Sequence, residues 1–206
     1  DQAIDRDEGE TMVGRLLGIV LLGFTTAACT ATVTLPPYTA VTSSELTGNI
    51  VVQDFIFTPP GRVAQNEIRE NAAGQIFLTE PVGQYFSNAI RREFRQAGIS
   101  LRDGACRLTG QVHDFATESL GFEVTYITDV TYRLLGAGES MVLERNIKVR
   151  FKTSKFVNAQ LYLVSINKAI ADNIGQFMAD PQFIDALSGI CAPPQANPPR
   201  RAAPRS

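Results

Sequence analysis

The sequence predicts a two-layer α/β sandwich: a mixed, mainly antiparallel sheet of about four strands with two long helices on one face, in the order β-α-β-β-β-α. Three observations carry that expectation. Residues 81–97 and 156–180 repeat apolar side chains at helical spacing. Residues 122–152 hold two runs that alternate apolar and polar around the turn Gly136-Ala137-Gly138. Between the flanks, "NIVVQDFIF" (49–57) is β-branched and aromatic, the composition of a strand buried on both faces.

Taken in order, the stretch "TPPGRVAQNEIRENAAGQ" after that first strand reads as a long loop, with "IFLT" (76–79) a short strand. Glu80-Pro81 opens a helix, since proline fits the first turn, where its missing N–H has no partner to lose. Val82, Phe86, Ala89, Ile90, Phe94 and Ala97 mark its apolar face; Arg91, Arg92 and Arg95 lie elsewhere, and Gly98 ends it. "ACRLTGQVHDFAT" (105–117) is a strand of mixed pattern. In "GFEVTYITDVTYRLLG", Phe122, Val124, Tyr126, Val130, Tyr132 and Leu134 share one face. "SMVLERNIKVRFK" answers with Met141, Leu143, Ile147, Val149 and Phe151 on one side and Glu144, Lys148, Arg150 and Lys152 on the other, so one face of the sheet is wet. Leu163, Ile166, Ile170, Ile174 and Phe177 then form a helix face that ends near Asp180-Pro181, followed by a short helix from Gln182 to Leu187.

The flanks differ in kind. "MVGRLLGIVLLGFTTAACT" (12–30) has a basic start at Arg15, an apolar run from Leu16 to Phe24 and a small-residue exit. A spanning helix needs roughly 20 apolar residues, and this run is too short; its three parts are those of a secretory signal over 12–28. Residues 1–11, acidic and upstream of Met12, do not suit a signal's start and read as an extension ahead of the true initiation site. Removing 1–28 takes five of 21 acids and two of 19 bases, leaving 16 against 17. That near-neutral balance excludes the basic surplus of a nucleic-acid-binding protein. Residues 29–48, rich in Thr, Ser and Pro, read as a tether, residues 49–191 as a single α/β domain, and the Pro/Arg-rich 192–206 as a disordered tail. Arg200, Arg201 and Arg205 suit either solvent or an anionic lipid or wall polymer.

Cys29 follows Thr26-Ala27-Ala28 and so resembles the lipobox of bacterial lipoproteins, in which the cysteine is acylated and becomes the first mature residue. Thr26 stands where Leu is usual, which leaves ordinary cleavage near Ala28 or Thr30 as the alternative. Together with "NIVVQDF", "VGQYFSNAIRREFRQAGI", the hairpin and "NKAIADNIGQFMADPQFIDAL", this plan resembles the YajG-like lipoproteins of Gram-negative bacteria over roughly residues 20–190. The resemblance implies an outer-membrane lipoprotein with no established enzymatic activity and no catalytic residues or cofactor to carry over. Thr30 is not the Asp that commonly retains lipoproteins at the inner membrane.

The chain offers little for catalysis. His113 is the single histidine, and Asp114 beside it should point to the opposite face of a strand, so the two do not suit a base and its orienter. One His and scattered cysteines do not make a metal site. Two function classes therefore follow: a non-catalytic envelope lipoprotein facing the periplasm, which meets an envelope partner through its wet sheet face (Glu144, Lys148, Arg150, Lys152) or an exposed sheet edge, or the auxiliary lipoprotein of an ABC-type lipid or solute transporter. A secreted hydrolase is disfavoured by the missing nucleophile–base pair. With Cys29 acylated, Cys106 and Cys191 remain, and export permits a disulfide between them. If the first strand runs up, the first helix returns down to Cys106, and the closing helix also descends toward Cys191, which puts both thiols at one end. Two buried free thiols are the alternative.

Overall fold

The computed structural model describes residues 31–32, 35–70, 76–102, 104–155 and 159–192; residues 1–30 and 193–206, with Cys29, Arg200, Arg201 and Arg205, lie outside them. The elements in chain order are β1 (Ala31–Thr32), β2 (Ile50–Val52), β3 (Ile56–Phe57), β4 (Glu67–Glu70), β5 (Ile76–Phe77), α1 (Val82–Gln96), β6 (Cys106–Leu120), β7 (Glu123–Leu135), β8 (Met141–Ser154), α2 (Ala159–Met178) and α3 (Pro181–Ser188). The α/β class is the one the sequence indicates, but the sheet is larger than four strands. Strands β6, β7 and β8 form a long antiparallel meander. The other edge of β6 pairs in parallel with β2, β3 and β4 in turn, and β5 and β1 extend the sheet beyond β4.

The meander forms because its residues alternate. On β7, Val124, Tyr126, Val130, Tyr132 and Leu134 are at most 6% exposed and face the helices. The turn between β7 and β8 needs Gly138 at φ +70°, a conformation that a side chain disfavours. Two residues expected on the inner face are not there. Phe122 belongs to the β6–β7 turn and is 75% exposed, and Met141 opens β8 and is 54% exposed. Both lie where alternation gives way to a turn.

The expected strand 49–57 is broken in two. Gln53, Asp54 and Phe55 leave the ladder between β2 and β3. Gly110 on β6 explains the break: with no side chain in the inward row, it leaves a hole that the Phe55 ring fills, and a Cβ at Gly110 would overlap that ring. Phe55 N–H donates to Ser87 Oγ at 2.7 Å, and the ring meets Tyr132 edge-on, with centroids 5.7 Å apart. The expected loop 58–75 contains β4. A single apolar residue, Ile68, marks it, and Ile68 is wholly buried.

Helix α1 buries every residue of its expected face, and also Tyr85, Ser87 and Glu93. The burial of Tyr85 and Glu93 comes from the segment expected to be a tether. Residues 35–48 lie docked, with Leu35 and Tyr38 in the core. The carboxylate of Glu93, itself 2% exposed, accepts hydrogen bonds from Tyr38 Oη, from Val41 N–H at 2.9 Å and from Thr42 N–H at 3.0 Å. Burial, and then the bond to Glu93, push the Tyr38 phenol far above its ordinary pKa, so it stays a donor. Thr39 exchanges hydrogen bonds with Asn167 of α2, at 3.3 and 3.2 Å. Composition alone suggested a linker; the buried acceptor on α1 makes it part of the domain, which therefore starts before residue 49.

On α2, Ile166, Ile170, Ile174 and Phe177 are fully buried. Asn173 joins the layers: it accepts from Tyr132 Oη at 2.7 Å and donates to Thr128 Oγ1 at 3.0 Å and to the Ile147 carbonyl at 2.9 Å. The two helices descend together toward the end where Cys106 and Cys191 are disulfide-bonded, with Cα atoms 5.3 Å apart. The bond links residues 85 apart in sequence, and a cross-link of that span is worth about 4 kcal/mol in the chain-entropy account. Thiol labelling of denatured, unreduced protein is the check, and labelling at both Cys106 and Cys191 would contradict the bridge.

Asp180 caps α3 through Gln182 N–H at 2.8 Å and Phe183 N–H at 3.3 Å, and Arg145 Nε of β8 donates to it at 2.6 Å. Burial favours its neutral form, but Arg145 and the two N–H donors outweigh it and hold the carboxyl below its ordinary range. A depressed carboxyl stabilises the fold above its unfolded pKa, and that stability is lost as pH falls through the folded value. Asp180→Ala should cost about 1–2 kcal/mol in neutral urea melts. The gap to wild type should narrow as pH falls below the usual carboxylate value of 3.8; a gap that widened in acid would refute the assignment.

Candidate interaction surface

The outer face of the meander is built by the residues that alternate away from the helices. From β8 it receives Glu144, Asn146, Lys148, Arg150 and Lys152; from β7, Glu123, Ile127, Asp129, Thr131 and Arg133. On β6 the register shifts between Val112 and Asp114, leaving His113 as the extra residue of a bulge. Val112 and Phe115 are both wholly buried, so His113 and Asp114 turn outward together between them. Strict alternation, which would put these two on opposite faces, fails at the bulge. They still form no base–orienter pair. Arg69 engages the Asp114 carboxylate with Nε at 3.3 Å and Nη2 at 2.6 Å, while His113 Nε2 lies 2.8 Å from Thr131 Oγ1.

The four residues that the sequence marks as a partner surface are exposed, as the alternation requires, but each is matched across the sheet. Glu144 meets Arg133 at 2.5 Å, Lys148 meets Asp129 at 3.2 Å, Arg150 meets Glu118 at 2.8 Å and Lys152 meets Glu123 at 2.9 Å. The face is thus a carpet of cross-strand pairs with little net field. Exposed pairs of this kind contribute about 0–1 kcal/mol each. Ile127, 2% exposed on this face, pairs with Ala116 of β6 and Arg150 of β8, and a long arginine stem can cover apolar surface of this kind.

Exposed apolar side chains gather elsewhere. Leu120 is 84% and Phe122 75% exposed, flanking Gly121 at the β6–β7 tip, and Leu161 and Val164 project from the start of α2. Pro36, Pro37, Leu163, Val164 and Asn167 line a shallow groove of about 340 Å³ between the docked N-terminal segment and α2. Sequence reading missed the tip because it placed Phe122 on the strand's inner face. Among the described residues there is no cluster of three or more His, Cys, Asp or Glu placed to hold a metal, and no helix long and apolar enough to cross a membrane.

No family model and no curated protein matches the sequence. Solved structures do match in fold. Protein XCC0632 from Xanthomonas campestris, described under the family model DUF330, superposes with a TM-score of 0.55 at 12% identity, over 77% of this chain and 95% of that one. Looser matches include a minor lipoprotein from Acinetobacter baumannii (TM-score 0.39, 11% identity, 66% and 92% covered) and the rare lipoprotein B from Shewanella oneidensis (TM-score 0.35, 14% identity, 62% and 94% covered). The first likeness establishes a shared fold.

The two faces of β8 give a direct test. Leu143 is 3% exposed, and Leu143→Ala should cost about 2–5 kcal/mol. Lys148→Ala on the outer face should cost well under about 1 kcal/mol. Equal losses in urea melts would overturn the assignment of faces.

Proposed function

We propose that this protein is a non-catalytic lipoprotein of the Gram-negative envelope, acylated at Cys29, held at the outer membrane with its domain in the periplasm, and acting as a binding or assembly module. The observation that carries the reading is the run that ends in Thr26-Ala27-Ala28-Cys29 immediately before the folded domain. The buried Cys106–Cys191 disulfide supports export, because such bonds persist in oxidising compartments. Kinship with the YajG-like lipoproteins is part of the proposal and rests on the order of elements. The absence of enzymatic activity is likewise proposed: the single histidine is engaged with Thr131, and Asp114 is held by Arg69.

Acylation decides the reading. Each methylene buried in lipid contributes about 0.8 kcal/mol, so two or more acyl chains hold a protein at the membrane stably. Expressed from Met12, the wild-type protein should fractionate with membranes, and Cys29→Ser should shift to the soluble fraction. Equal soluble partitioning of the two would refute the anchor.

A further inference from the structure

We propose that the β6–β7 hairpin tip, Leu120-Gly121-Phe122, is a membrane-contacting foot that enters the lipid interface beside the anchor; this rests on the acylation of Cys29 proposed above. The strand directions place the two at one end. β6 runs toward the tip and β4 runs parallel to it; β5 is antiparallel to β4, and β1 is parallel to β5. β1 therefore runs away from the tip, so Ala31 is the end of β1 nearer the tip.

The register sets the height. Ala31 pairs with Ile76, Ile76 with Ile68, and the next residue, Arg69, with Ala116. Leu120 then stands about 17 Å above Ala31 at the rise of a β-strand. Cys29 is two residues before Ala31, a reach of at most about 7 Å. An anchor at Cys29 thus leaves the tip projecting at least about 10 Å further than the acylated residue, enough to reach the depth of about 5–10 Å at which interfacial apolar groups are buried.

The chemistry of the tip suits that depth. Among the described residues, Leu120 and Phe122 are the two most exposed large apolar side chains, at 84% and 75%, and Gly121 between them turns at φ +60°. At the level of the phospholipid headgroups, Lys152 is already paired with Glu123, but Lys155 is exposed and donates its backbone N–H to the Phe122 carbonyl at 2.7 Å. Anionic headgroups complement the Lys155 ammonium. Leu161 and Val164 on the first turns of α2 lie at the same end, where Tyr162 Oη reaches Thr117 Oγ1 at 3.4 Å.

The sequence contains no tryptophan, so one introduced residue is a unique fluorescent reporter. Leu120→Trp and Met141→Trp both alter exposed positions, the second at the opposite end of the meander. Each full-length variant is purified from membranes, its N-terminal peptide is checked for acylation by mass spectrometry, and it is reconstituted into phosphatidylethanolamine–phosphatidylglycerol vesicles with brominated acyl chains. The expected result is that Leu120→Trp loses about half of its emission relative to unbrominated vesicles, as an indole at interfacial depth should, while Met141→Trp is unchanged. Acylated protein in which neither variant is quenched, or both equally, overturns the foot and leaves the anchor standing. An unacylated N-terminal peptide overturns the anchor, and the foot with it.

Discussion

The backbone of β6 has hydrogen-bonding groups on both edges, and satisfying all of them dictates the arrangement of the sheet. Its 15 residues take one continuous antiparallel partner, β7, and on the other side a relay of short parallel strands. A parallel partner cannot be reached through a tight turn, so the chain must cross over between β2 and β6, and α1 is part of that crossover. Gly110 then admits Phe55, whose intrusion ends β2 and starts β3. The bulge at His113 changes which β6 residues face inward, so that Phe115 enters the core in place of an even-numbered neighbour. Phe115 meets Phe86 of α1 edge-on, with centroids 5.5 Å apart. One strand's hydrogen-bonding requirement is in this way converted into the position of a helix.

What could be read from the sequence followed from how locally each element is determined. β7, β8, α1 and α2 carry their own periodicity, because each buries a single face against one layer. β4 does not: in "NEIRE" only Ile68 is apolar, and the strand exists because Arg69 and Glu70 find partners on β6 that lie almost 50 residues onward. The N-terminal segment was illegible for the same reason. Leu35, Tyr38 and Leu46 have no regular spacing, and the hydrogen bonds that hold residues 38–42 converge on a single distant carboxylate, Glu93 of α1. The outer face was half legible. Alternation identified Glu144, Lys148, Arg150 and Lys152 as exposed, but their partners on β6 and β7 appear only once the register is known.

Those pairings alter what the outer face can offer. A row of cations on one strand suggests attraction for an acidic partner, yet the neighbouring strands supply Asp129, Glu118 and Glu123 at matching heights. A partner docking there would have to displace pairs that cost nothing to leave exposed, and would gain little directional field in return. The opposite holds at the β6–β7 tip, where apolar area is exposed in water and any lipid contact removes it.

The docked N-terminal segment has a mechanical consequence for an anchored protein. Had residues 29–48 been a flexible chain, about 20 residues would have let the domain wander some 25 Å from its attachment. Instead β1 is paired with β5, Tyr38 and Thr42 are held on Glu93, and Leu46 N–H bonds the Ala97 carbonyl at 2.7 Å, so residues 38–46 are held against α1. Cys29 is two residues before Ala31 in sequence. With the acylation proposed for Cys29, such a short link would give the domain a preferred orientation, with the β6–β7 tip toward the bilayer and the disulfide-linked end and β7–β8 turn away from it. The docking of a segment whose composition suggests a spacer would thus turn the proposed lipid anchor from a leash into a mount, with the buried Glu93 carboxylate, far from Cys29 in sequence, holding that segment in place.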